Sequence, residues 1–93
     1  MVFLQIALNI ETNKRQLAAD IYTKFKENFL REIPGAVSKK LLVRDEDVQV
    51  LHEFDTVENA KAYLASHLFN QDVVTALKPL LQNDPDIRIY VAA

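Results

Sequence analysis

Apolar positions alternate with mixed ones over the first stretch of the chain. Val2, Leu4, Ile6, Leu8 and Ile10 are all aliphatic, while Phe3, Gln5, Ala7 and Asn9 fall between them. A period of two predicts a strand with one face turned to a core. The other face either meets solvent in part or lines a cavity. From Asn13 the period lengthens: Leu17, Ile21, Phe25, Phe29 and Ile33 recur at steps of four, reinforced by Ala18, Tyr22 and Leu30. That stripe predicts a core-facing helix. Thr12 or Asn13 is its expected cap, with Asn13 and Gln16 spaced as a capping box. Pro34-Gly35 ends it, because proline cannot extend the hydrogen-bond ladder and glycine accepts the turn.

Two further strands, Val37–Arg44 and Val48–Asp55, are joined by Asp45-Glu46-Asp47, a polar link suited to an antiparallel hairpin. In the second of them Val48, Val50, His52 and Phe54 share one face and Gln49, Leu51 and Glu53 the other. His52 and Glu53 therefore point apart and cannot form a dyad. Thr56 caps a second helix, with Glu58 in the first turn where the helix dipole favours a carboxylate. Its expected inner stripe is Ala60, Tyr63, Leu64, His67 and Leu68. Asn70 or Asp72 opens a further helical segment carrying Val73, Val74, Leu77, Leu80 and Leu81, and Pro79 marks a kink or a new first turn. After the turn signal Asn83-Asp84-Pro85-Asp86, Ile87 to Ala92 reads as a last strand, with Ile87, Ile89 and Val91 opposite Arg88, Tyr90 and Ala92.

The order strand, helix, strand, strand, helix, strand predicts one domain over residues 1–93, a ferredoxin-like βαββαβ α+β sandwich. It has a four-stranded antiparallel sheet with helices on one face and right-handed crossovers. The uncovered face needs a partner. Phe3, Leu41 or Leu42, Leu51 or Phe54, and Tyr90 would place apolar surface there, so a homodimer packed sheet to sheet is expected.

Composition narrows the function by exclusion. A net charge of −2 gives no broad cationic field, which counts against nucleic acid as a partner. The local basic pairs Lys14-Arg15 and Lys39-Lys40 read as solvated surface. With no cysteine, disulfides, thiol catalysis and Cys-based zinc sites are removed together. Gly35 is the only glycine, which excludes phosphate-cradling glycine loops. The apolar run from Met1 to Ile10 is too short to cross a bilayer and has no basic residue before it. The expectation is a soluble, cytoplasmic protein without a membrane partner. Two histidines at no recognised ligand spacing predict no metal site.

The run HEFDTVENAKAYLASHLF, residues 52–69, resembles a segment of the antibiotic biosynthesis monooxygenase (ABM) family within the dimeric α/β-barrel proteins. Glu53 and Phe54 fit its acid–aromatic pair, Thr56 and Glu58 its helix start, and Leu64-Ala65-Ser66 with Phe69 its helix end. The resemblance in strand order and length covers essentially the whole chain, and the stress-responsive dimeric α/β-barrel proteins are similar in architecture. Three positions depart from the family. Tyr63 stands where a helix histidine is common, Leu68 aligns with a second histidine and leaves His67 one position off, and Phe54 replaces a tryptophan.

The resemblance implies a dimer with a hydrophobic pocket in each subunit between sheet and helices. It also implies oxidation of phenolic or quinol-like aromatics by molecular oxygen, with no metal, flavin or other cofactor. A base removes a proton, and the electron-rich anion then reduces oxygen directly, helped by desolvation. His52 is the candidate base, since an ordinary imidazole titrates near 6.5; the competing role is a core histidine bonded to backbone. Phe54, Tyr63, His67, Tyr90, Asn9 and Arg88 are the candidate substrate-binding residues. Each has a structural alternative: tyrosines packed with a rim hydroxyl, His67 at a helix end, Arg88 paired with Glu53, and Asn9 exposed. The expected ligand is a small hydrophobic or aromatic molecule. A non-catalytic ligand-binding or stress-related protein, and a purely structural dimerisation module, are the rival classes.

Overall fold

The computed structural model describes residues 1–93. Strand β1 (Val2–Leu8) leads through a 3-10 turn into helix α1 (Arg15–Glu32), and β2 (Ala36–Val43) and β3 (Val48–Phe54) form a hairpin. Helix α2 (Val57–Leu64), a π-helical turn (Leu68–Val73), the short α3 (Val74–Leu77) and a 3-10 turn (Lys78–Leu80) precede β4 (Asp86–Val91). The strands pair antiparallel in the order β2-β3-β1-β4. This is the ferredoxin-like α+β arrangement expected from the sequence. No helix is long and apolar enough to cross a membrane.

Strand parity divides the sheet. The aliphatic side of β1 (Val2, Leu4, Ile6, Leu8) and the matching side of β3 (Val48, Val50, His52, Phe54) are buried beneath the helices. On the other side, cross-strand rows run Ser38–Glu53–Phe3–Tyr90, Lys40–Leu51–Gln5–Arg88 and Leu42–Gln49–Ala7–Asp86. The open face therefore carries Phe3, Leu42, Leu51 and Tyr90; Leu41 and Phe54 turn inward. It is interspersed with charged and amide groups, more mixed than a wholly apolar face.

The hairpin contains a one-residue irregularity. Ala36 stands opposite Phe54, but Ser38, not Val37, stands opposite Glu53. Because side chains alternate, one extra residue reverses the facing of everything beyond it relative to Ala36. Lys39 consequently pairs with His52 and faces the helices.

Helix α1 starts one or two residues later than the sequence suggests, and without the capping box. Thr12–Lys14 is a 3-10 turn, no side chain caps Arg15, and Gln16 donates to Asp20 instead (3.0 Å). Arg15 secures the entry: its Nε donates to the Ile10 carbonyl (3.2 Å), and its other nitrogens donate to the carbonyls of Arg44 and Asp45. Along α1, Ala18 and Phe29 are buried, while Leu17 and Leu30 are exposed. A step of four overshoots a full turn by about 40°, so a stripe of such steps winds off the core at its ends.

The second helix is shorter than expected. Thr56 caps α2 as predicted, accepting from the Asn59 N–H (3.1 Å). It stops at Leu64 because Ser66 redirects the chain. The Ser66 hydroxyl donates to the Tyr63 carbonyl (2.6 Å) and accepts from the Phe69 N–H (3.2 Å), and Asn70 donates to the carbonyls of Leu64 and Ser66. The break turns His67 out to solvent, away from the inner stripe assigned to it, and brings Leu68, Phe69 and Val73 into the core. Gly35, at φ 77°, closes the α1–β2 turn; a β-carbon there would collide with the side chains of Asp55 and Asn59.

Candidate functional site

Between the sheet and the helices lies an apolar chamber. Its floor is formed by Ile6 and Leu8 of β1, Leu41 of β2, and Val48 and Val50 of β3. Its roof comes from Ile21, Tyr22 and Phe25 of α1, Tyr63 of α2, and Phe69, Val73 and Leu77 beyond the break. Two further lining residues, Lys39 and His52, carry ionisable nitrogen. The free space is about 30 Å³, roughly one water's share of liquid volume. A ligand site commonly has about 300–1,000 Å³, so an aromatic ligand has to push the walls apart. The half-buried Ile21, Tyr22, Phe25 and Leu77 are the walls able to give, and Leu77 lies on a segment where the α-helical pattern is already interrupted.

Around the chamber the aromatic rings form one cluster. Phe29 packs edge-on against His52 (5.3 Å between centroids), Phe54 (5.5 Å) and Tyr63 (5.1 Å), and Tyr63 also meets His52 (5.4 Å) and Phe69 (5.2 Å). Phe54 does not line the space; it backs Tyr63 and Phe29.

Three polar groups stand in this setting. His52 is buried, and its Nδ1 lies 3.1 Å from the Leu4 carbonyl. A carbonyl only accepts, so Nδ1 carries the proton and the neutral ring keeps its lone pair on Nε2. Burial, with the nearby Lys39 charge, pulls the imidazole from 6.5 down to about 3, against the opposing bond to Leu4. Tyr63 is equally buried, and its hydroxyl is the one buried side-chain polar atom without a hydrogen-bond partner. Burial pushes its phenol up, so it stays protonated and available as a donor. Lys39 is 3% exposed, with Nζ over the rings of Phe29 (5.3 Å) and Tyr22 (5.7 Å). Burial first, and Lys26 second, lower its ammonium from 10.5 to about 8.

The structure thus brings His52, Phe54 and Tyr63 into one cluster, but four other candidates lie outside the chamber. Arg88 and Tyr90 occupy the open face of the sheet, because on β4 it is Ile89 that pairs with Leu4. Arg88 pairs with Asp86 (3.0 Å) rather than with Glu53, which accepts from Ser38. Asn9 is exposed beyond the end of β1 and donates to Asn83 (3.2 Å). His67 faces solvent after the α2 break. Lys39 is the residue that sequence reasoning placed on the surface; its only signal was sharing parity with Leu41.

No family model and no curated protein matches this sequence. Among solved structures it is similar to a Nitrosomonas europaea protein assigned as an antibiotic biosynthesis monooxygenase (TM-score 0.82, 14% identity, 99% of this chain and 98% of that one). It is also similar to SnoaB, a cofactor-independent oxygenase from Streptomyces nogalater (TM-score 0.77, 18% identity, 98% and 91%). A conserved protein from Methanosarcina mazei superposes as well (TM-score 0.82, 17% identity, 96% and 89%). The chain has the fold of these proteins over nearly its full length.

Proposed function

We propose that the protein is a homodimer that binds a small aromatic molecule in this chamber and oxidises it with molecular oxygen, without metal or flavin. One observation carries the reading: an apolar space whose polar groups are a lone-pair imidazole nitrogen, the ammonium of a buried lysine side chain and an unpartnered phenolic hydroxyl. The fold shared with a cofactor-independent oxygenase supports the same chemistry.

For an anthrone-type substrate, His52 Nε2 takes one proton from the activated CH₂, and Tyr63 donates to the oxygen on which the negative charge settles. The anion passes one electron to O₂, and the two radicals combine at carbon. Loss of the second C–H proton with cleavage of the O–O bond leaves a ketone and, with a proton, water. One O₂ is consumed per substrate. An oxygen electrode should record this stoichiometry, and His52→Leu and Tyr63→Phe should each lower the rate by about tenfold or more. The weak basicity of His52 favours one other reading, a binder without turnover. In that case the anthrone-type compound raises the melting temperature with no oxygen uptake.

The dimer rests on the open sheet face, where Phe3, Leu42, Leu51 and Tyr90 remain partly exposed in the single chain. Sedimentation at micromolar concentration should return twice the 10.6 kDa chain mass. A single-chain mass would remove the dimer and leave the chamber untouched.

A further inference from the structure

We propose that Lys39 is the anion-pairing group of the chamber, selecting ligands that ionise at a phenolic or enolic hydroxyl over neutral molecules of the same shape. The inference rests on the chamber being a ligand site and adds the charge that the ligand carries there.

Lys39 points inward because of the irregularity at Val37, and it is held there from both sides. Its carbonyl accepts from the Tyr22 hydroxyl (2.6 Å), and its side chain lies between the rings of Tyr22 and Phe29. No carboxylate answers its charge. The ion pairs of the molecule involve only Arg31, Arg44 and Arg88, and no side chain hydrogen-bonds to Lys39 Nζ. The titratable groups that surround it are His52 across the strand, Tyr22 and Lys26 on α1, and Tyr63 on α2, none of them acidic.

A buried cation without a counter-charge is costly unless something pairs with it, and two aromatic faces are partial compensation. A phenolate or enolate in the chamber supplies the missing charge. The same pairing lowers the pKa of the bound ligand, which lets so weak a base as His52 remove its proton. The ammonium thus makes the imidazole sufficient.

The test uses 4-nitrophenol, whose anion absorbs at longer wavelength than its acid, and its methyl ether 4-nitroanisole. The natural protein should bind nitrophenolate about tenfold tighter than the ether and lower the bound phenol's pKa by about one unit. Lys39→Met should bind the ether as before but lose both differences, and Lys39→Arg should keep them. Should the methionine variant not fold, Lys39→Gln supplies the uncharged side chain. If the uncharged variant keeps the preference, or the natural protein binds both probes alike, the anion-pairing role is overturned while the chamber stands as a ligand site. If neither probe binds at all, the ligand-site reading fails, and this one with it.

Discussion

Lowering the pH from 7 to 4 should cost the fold about 3 kcal/mol through His52 alone. In the folded chain the imidazole is held at about 3, whereas its ordinary value is 6.5. Below 6.5 the unfolded chain therefore binds a proton that the folded one refuses. Stability from this group is fully present above 6.5, declines as the pH falls, and is gone once the pH passes 3. A domain has about 5–15 kcal/mol in all, so the loss is a large share. Urea midpoints at pH 7, 5.5 and 4 should fall steeply for the natural protein and less steeply for His52→Leu. That substitution also removes the bond to the Leu4 carbonyl, but the resulting offset does not vary with pH. Carboxylates outside the chamber, such as Asp47 paired with Arg44, titrate alike in both proteins, so the difference between the two curves isolates His52. Parallel curves would mean that the ring is already solvated in the folded chain.

The sequence made the scaffold legible wherever a side-chain period ran unbroken. Val2 to Leu8 and Val48 to Phe54 alternate without interruption, and their parity put His52 and Glu53 on opposite faces, as observed; the structure turns His52 to the helices. It failed where a single group altered the count. The extra residue at Val37 leaves no compositional mark, so Lys39 read as half of a solvated basic pair when it is among the most buried residues in the molecule. Ser66 likewise looks like an ordinary helix residue until its hydroxyl takes one backbone group from each side, and His67 loses the inner position that helical spacing assigned to it. The misplacing of Asn9, Arg88 and Tyr90 has another origin. Their facing was readable, but which side of the sheet held the chamber was not, since an all-aliphatic face reads as solid core. The space appears only when this face is folded against the helices.

Replacing Lys39 with methionine should stabilise the protein by about 3 kcal/mol at pH 7. Most surface changes move stability by about 0.5 kcal/mol or less, so the effect separates a buried lysine from an exposed one. The sign follows from the lowered ammonium, about 8 against an ordinary 10.5. Below about 8 both folded and unfolded chains carry the proton, and the fold bears the whole cost of burying it. Between about 8 and 10.5 the folded chain has released the proton while the unfolded one retains it, so stability rises with pH; above 10.5 the cost has vanished. Methionine keeps the length of the stem between Tyr22 and Phe29 and removes the charge, so the variant should lack that alkaline rise. It should also lose less stability in acid, because Lys39 contributes to the depression of His52. A group that costs so small a domain this much fits the anion-pairing role proposed for it, since stability and activity commonly compete. Equal midpoints at pH 7 with an unchanged rise between pH 8 and 10.5 would show the ammonium reaching water, and would remove the basis for its pairing with an anion.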